Sequence, residues 1–363
     1  MENRIEEEEE GNQLTMAAAA KGDKSVDDHH HHHPYAFHVS GPRNLSSPNW
    51  TDLIISTWKD ENYKRMVMAC FIQSVYLLEL DRQEKRTKEN SLAPKWWIPF
   101  KYKLTETLID ERDGSIFGAV LEWDGFIFMR PSGAPKAVLA LRGTILKSST
   151  IRRDVEDDLR FLAWETLKGS VRFTAALNAL KSITHKYGSN NICIAGHSLG
   201  AGFALQVGKT LAHQGVYVEA HLFNPPSVSL SMSMKNIGEK AIFAYNRFKS
   251  ILPFNAIIGE QTNVVTNITP PSSSSSNGLK KYWIPHLYVN NNDYICCYYT
   301  DQPKTTPIKT ENKGTAKLFV LSKGKQKFLE AHKLEQWWSD DLELQLALQT
   351  STLISKQLQS LYI

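Results

Sequence analysis

Gly196-His197-Ser198-Leu199-Gly200 constrains this chain more than any other stretch. It is a Gly-x-Ser-x-Gly pentapeptide lying between a short apolar run, Asn191-Ile192-Cys193-Ile194-Ala195, and a small-residue segment, Ala201-Gly202-Phe203-Ala204-Leu205-Gln206-Val207-Gly208. The apolar run predicts a strand buried on both faces, and the segment after it predicts a helix. A serine on so sharp a strand-to-helix turn is a candidate nucleophile, and the positions two before and two after it must be almost free of side chain for strand and helix to pack. Gly196 and Gly200 meet that demand. The ordinary alternative is a serine that merely caps a helix.

A serine nucleophile needs a base and an acid, and on sheets of this type they follow it in chain order, acid first. No aspartate lies between Ser198 and Asn292, and a single histidine, His332, follows Asp293. The base candidate is therefore His332, and the acid is Asp293 or Asp301. Asp293 is preferred because Leu287-Tyr288-Val289 predicts a strand whose C-terminal end would carry it, the edge where functional groups of open α/β sheets gather. Asp301, in Thr300-Asp301-Gln302-Pro303, reads better as a turn residue. For the oxyanion, the N–H of Leu199 comes with the turn itself. The second donor is expected from Thr144, where the strand-like Ala137–Leu141 runs into Arg142-Gly143-Thr144.

Strand, helix, strand, nucleophile turn, helix, strand is the order of a doubly wound, mostly parallel α/β sheet. Val171–Tyr187 predicts an amphipathic helix leading into the nucleophile strand, and Val216–Phe223 the strand after it. The turn at Asp124-Gly125 predicts an antiparallel hairpin at the sheet edge, joining Ile116–Trp123 to Phe126–Arg130. From Trp50 to about Arg86 the chain reads as helices, with Val67, Phe71, Val75 and Leu78 forming one apolar stripe that packs on the core.

Taken together, Leu141-Arg142-Gly143-Thr144, Asp154, Asp158-Leu159, the Gly-His-Ser-Leu-Gly turn, Phe223-Asn224-Pro225-Pro226, Asn292-Asp293 and Ala331-His332 resemble the class 3, or fungal-type, lipases of the α/β-hydrolase superfamily over roughly residues 115–340. Pro34–Arg43 and the tract after it resemble a plant subgroup often labelled "GDSL esterase/lipase". No Gly-Asp-Ser-Leu occurs here, so the chemistry has to be argued from Ser198. The resemblance implies an α/β-hydrolase fold with an N-terminal helical extension. It makes Ser198 the nucleophile, Asp293 the acid, His332 the base, and Thr144 with Leu199 the oxyanion donors. It also implies an acyl lipid or small ester as substrate, with peripheral lipid-surface contact. No cofactor or metal is expected at that site. Asp293 lies 95 positions beyond Ser198, further than the family usually places it. The excess includes Thr269–Gly278 with five consecutive serines, which reads as a surface insertion over about residues 262–280.

Two function classes remain open on the sequence: a serine carboxylic-ester hydrolase, and a lipase-fold signalling or scaffold protein with a silent site. Met232, Met234 and neighbouring apolar residues of 230–254, with residues 148–166, could line an acyl pocket, but also suit ordinary helices covering the sheet. The expected organisation is an acidic, His-rich tail at 1–33, a helical extension at 34–114, the hydrolase domain at 115–345 and a C-terminal helix at 346–363. The acidic start is unlike a targeting peptide, no stretch of 18 apolar residues occurs, and the four cysteines form no disulfide framework. A cytoplasmic location is therefore expected. A net charge of +4 implies no nucleic-acid partner. His29–His33 could bind transition metals loosely, and the cysteines show no metal-ligand spacing among themselves.

Overall fold

A computed structural model describes residues 33–42, 58–87, 89–145, 155–226, 283–293, 295–300, 316–322, 324–339 and 345–347. Eight strands form one sheet in chain order: β1 (Tyr102–Ile109), β2 (Ile116–Trp123), β3 (Ala137–Leu141), β4 (Ile192–His197), β5 (Glu219–Phe223), β6 (His286–Asn290), β7 (Lys317–Leu321) and β8 (Gln345–Ala347). Neighbours from β3 to β7 are parallel, while β1, β2 and β8 run antiparallel to the strands they adjoin.

The inner strands are apolar throughout because both of their faces are covered. Alternation sends Val138, Ala140, Cys193, Ala195, Phe223, Tyr288 and Phe319 to one face. It sends Leu139, Leu141, Ile192, Ile194, Leu222, Leu287 and Val289 to the other. The first face lies under helix α1 (Glu61–Gln83). Asp60 opens that helix by accepting the Asn62 N–H at 2.9 Å, and Val67, Phe71 and Val75 line its buried side. The second face is covered by α2 (Val155–Tyr187) and α3 (Leu199–His213). Helices thus lie on both sides, as a doubly wound sheet requires. The strand order never reverses, however, and the face opposite the crossover helices is closed by a helix that precedes the sheet.

Two expectations need correction. Phe126–Arg130 is not a strand: after Asp124-Gly125 the chain makes a short 3-10 turn, Ile127–Met129, and Phe126, Ile127 and Phe128 are exposed. β2 is buried on both faces and pairs on both sides, so its hairpin partner is β1, upstream of it. The sheet consequently begins at Tyr102, ahead of the boundary expected at 115, and 34–114 is not wholly helical. The expected C-terminal helix at 346–363 lies outside the described residues apart from 346 and 347, which belong to β8. The tail to residue 32, the insertion at 262–280, the segment 230–254 and Asp301 also fall outside the described residues. Among the described residues no helix is long and apolar enough to cross a membrane, and no disulfide joins the four cysteines.

Candidate active site

β4 ends on the strained turn that its glycines allow. Ser198 has φ 54° and ψ −126°, a conformation an L-residue holds only where its surroundings enforce it. A Cβ on Gly196 would stand 2.4 Å from the Gly200 carbonyl oxygen, and one on Gly200 would stand 2.5 Å from that of Leu141. Strand, turn and α3 therefore meet backbone to backbone. The Ser198 N–H donates to the Phe223 carbonyl at 2.9 Å, fixing the turn to β5. Leu199 is the first residue of α3, where a helix supplies no acceptor for the N–H.

Three side chains named from the sequence come together at this edge. Ser198 Oγ lies 2.9 Å from His332 Nε2, and His332 Nδ1 lies 2.8 Å from Asp293 Oδ2. A carboxylate can only accept, so Nδ1 carries the ring proton and Nε2 is free to accept the serine hydroxyl. Asp293 sits in the turn after β6, and His332 closes the short helix α4 (Phe328–His332). Asn290 holds that pair of loops together: its Nδ2 donates to Gln326 and Gln336 at 2.9 and 2.7 Å.

Asp293 is completely buried. Burial opposes its ionisation, but the positive charge His332 carries when protonated, hydrogen bonds from His332 and Asn224 and the Ile295 N–H outweigh it and hold the carboxyl below its ordinary value. Thr144 lies in the loop that follows β3, and its hydroxyl oxygen is buried with no hydrogen-bond partner among the described residues. Gly143, beside it, approaches the serine so closely that a Cβ there would be 2.8 Å from the Ser198 Cβ.

Other residues of the site carried no role in the sequence. Asn224, with φ 46°, donates from Nδ2 to Asp293 Oδ2 at 2.6 Å and to the Ala331 carbonyl at 3.1 Å. Its Oδ1 accepts the Trp337 indole N–H at 2.6 Å. Its place between Phe223 and two prolines was the one available signal. Tyr76, on α1, had none: its hydroxyl accepts the Gly143 N–H at 2.8 Å and meets His197 Nδ1 at 2.8 Å. His197 Nε2 lies 2.9 Å from the His332 carbonyl oxygen. Because that carbonyl can only accept, His197 donates from Nε2, and Tyr76 donates to Nδ1. Burial, then repulsion from His332 when that ring is protonated, lower the His197 pKa to about 3, so this relay stays neutral and its directions stay fixed.

A parallel sheet carrying a strained serine at the C-terminal end of its central strand, backed by histidine and a buried carboxylate, is the architecture of an α/β hydrolase. No family model matches the chain. Over 347 residues it is 28% identical to a GDSL esterase/lipase of Arabidopsis thaliana, covering 84% of this chain and 95% of that protein. Among solved structures it is similar to a lipase from Rhizopus microsporus var. chinensis, at 11% identity and TM-score 0.35 with 82% of each chain covered. Lip2 lipase from Yarrowia lipolytica is matched at 15% identity and TM-score 0.32, over 65% of this chain and 73% of that one. The motif order and the name of the Arabidopsis protein point to the same esterase/lipase class. Residue roles rest on the geometry above.

Proposed function

We propose that the protein is a serine carboxylic-ester hydrolase that cleaves acyl esters of lipids, or smaller esters, through an acyl-enzyme. The observation that carries this reading is the continuous hydrogen-bonded line from Ser198 Oγ through His332 to Asp293. His332 Nε2 takes the serine proton as Oγ attacks the ester carbonyl, and Asp293 stabilises the imidazolium that results. The same proton then passes to the departing alkoxide, leaving the acyl group on Ser198. Water, deprotonated by His332, attacks that acyl group, and the acid leaves as Ser198 recovers its proton. The negative oxygen of each tetrahedral intermediate is met by the Leu199 N–H and by Thr144, whose unpartnered buried hydroxyl supports a donor role.

The test is hydrolysis of a short-chain p-nitrophenyl ester and of an emulsified lipid, with fluorophosphonate labelling of the pure protein. Ser198→Ala and His332→Ala should each remove about 10⁶-fold in turnover, with the double variant hardly worse because the members act as a unit. Asp293→Asn should cost about 10⁴-fold. Ester hydrolysis that survives Ser198→Ala on both substrates rejects this mechanism. A wild type that neither cleaves any ester nor takes up the probe is a lipase-fold binding protein instead.

A further inference from the structure

At the sheet edge opposite Ser198, a second set of chemically reactive side chains converges without a role in ester cleavage. Cys193 is the second residue of β4, Glu219 the first of β5 and His286 the first of β6. The parallel register sets Cys193 beside Glu219 and His221 beside His286. One donor atom from each of Cys193, Glu219 and His221 lies within 4.8 Å of the other two. Bonds of about 2.0–2.3 Å to a tetrahedral ion put its donors roughly 3–4 Å apart, so a small contraction brings these three onto one ion.

A second observation points to a ligand here. His286 is buried, and its Nδ1 has no hydrogen-bond partner among the described residues. A buried polar nitrogen left in that state is costly unless something occupies it. Its ring stands 4.7 Å from that of His221. Both rings, with Glu219, Glu61, Tyr288 and the lysines Lys59, Lys64 and Lys317, line a cavity of about 130 Å³ beneath the start of α1, several times the roughly 30 Å³ share of one water.

We propose that Cys193, Glu219, His221 and His286 form a structural Zn²⁺ site that joins β4, β5 and β6. One thiolate sulfur, one carboxylate oxygen and two imidazole nitrogens suit a closed tetrahedral zinc site. The nitrogen of His221 nearest Glu219 is Nε2, at 3.0 Å, while its Nδ1 lies 3.0 Å from the Tyr288 hydroxyl. With Nε2 on the metal, Nδ1–H donates to Tyr288, the outer-sphere hydrogen bond that zinc-ligating histidines use to fix their ring. Thiolate and carboxylate together neutralise the divalent ion. Lys64, which holds Glu219 Oε1 at 2.8 Å, can stay on one carboxylate oxygen while the other turns to the metal. Burial first, and then the charge and hydrogen bond of Glu219, push the Cys193 thiol well above its ordinary pKa, so binding must release that proton to solvent.

The test uses the full chain purified without metal-affinity chromatography, and the H29A/H30A/H31A/H32A/H33A variant to remove the histidine tract as a competing metal binder. Both should carry about one equivalent of zinc by elemental analysis. Chelation should lower Tm by about 5–10 °C, the shift for losing a ligand held near 100 times its Kd by a domain of this size. Replacement by Co²⁺ should give a thiolate-to-cobalt charge-transfer band. Cys193→Ala should lose the band, and His221→Ala and His286→Ala should lose the zinc while still taking up the fluorophosphonate probe at Ser198 as wild type does. Zinc lost with the histidine tract but retained in Cys193→Ala and His221→Ala would overturn the site. So would a wild type with no zinc whose Tm does not respond to added Zn²⁺.

Discussion

Asn224→Asp replaces one atom group of the buried acid's cradle and turns a donor into an acceptor. The backbone is indifferent to the change, since Asp tolerates the positive φ at this position about as Asn does. The Trp337 indole still finds an oxygen, and the Ala331 carbonyl keeps the Gln336 side chain at 2.7 Å. What is lost is the N–H···O contact of 2.6 Å to Asp293, now two carboxylates in contact. Two unit charges about 3 Å apart repel by roughly 5 kcal/mol at an effective dielectric near 20. The folded protein escapes by keeping one proton on the pair, which titrates as a unit. An acid whose folded pKa is raised contributes its stability at low pH and loses it as pH rises. The penalty should therefore be small near pH 4 and grow by about 1.4 kcal/mol per pH unit above about 3.9, reaching about 4 kcal/mol at pH 7. Urea unfolding of wild type and variant at pH 4.5, 6 and 7.5 measures it. A difference between the two that does not change with pH would refute the placement of Asn224 Nδ2 against an ionised Asp293.

Gly200→Ala drives a methyl group into two carbonyl oxygens that cannot move without moving the loop after β3; we expect a loss of about 3 kcal/mol, read as a fall in Tm of about 6–12 °C. Tyr76→Phe leaves the Gly143 N–H without its acceptor and His197 without its donor. Turnover should fall about 10–100-fold with KM unchanged, which is about 1.4–2.7 kcal/mol of transition-state stabilisation; an unchanged kcat would refute the link. The carboxyl of Glu79 is lowered to about 2: burial opposes this, but hydrogen bonds from Arg82, Gln83 and the Ile116 N–H prevail. Its stabilisation is complete above about 4.5 and is lost as pH falls toward 2, so Glu79→Gln should flatten the acid limb of the stability curve by at most about 3 kcal/mol.

The inner sheet was legible because two-sided burial writes short continuous apolar runs, and Ala137–Leu141, Ile192–Ala195 and Leu287–Val289 read that way unaided. Outer strands were harder. β1 is partly exposed and mixes Lys, Thr and Glu with Leu, while Phe126-Ile127-Phe128 has strand-like composition in an exposed turn. Composition alone cannot separate the two, since pairing partners decide. Ser198, Asp293 and His332 could be named because one local motif fixed the first and chain order left few choices for the others. Tyr76 and Asn224 act across 67 and 69 residues of sequence, respectively, and neither type is unusual in a core. At the opposite edge Glu219 and His221 stand two apart on β5, but Cys193 and His286 lie on the flanking strands, beyond crossovers, so one commonplace Glu-x-His spacing is all that announces the group.

These long-range contacts explain why the helix ahead of the sheet belongs to the site. α1 closes the face that the crossover helices leave open, which buries Phe71 and Val75 against β3 and β4. That packing delivers Tyr76, the residue after Val75, to the Gly143 N–H. From there a neutral chain runs through His197 to the carbonyl of His332. The loop that would hold the oxyanion and the turn that presents the serine are thus hydrogen-bonded to one helix, and the segment that carries the base is joined to it through His197. Such a relay adds no charge to the reaction. Its effect is to keep three separately folded loops in one mutual geometry, where a displacement of about 1 Å can cost about 100-fold in rate. Core packing on α1 and alignment of the Ser198 site are one structural requirement.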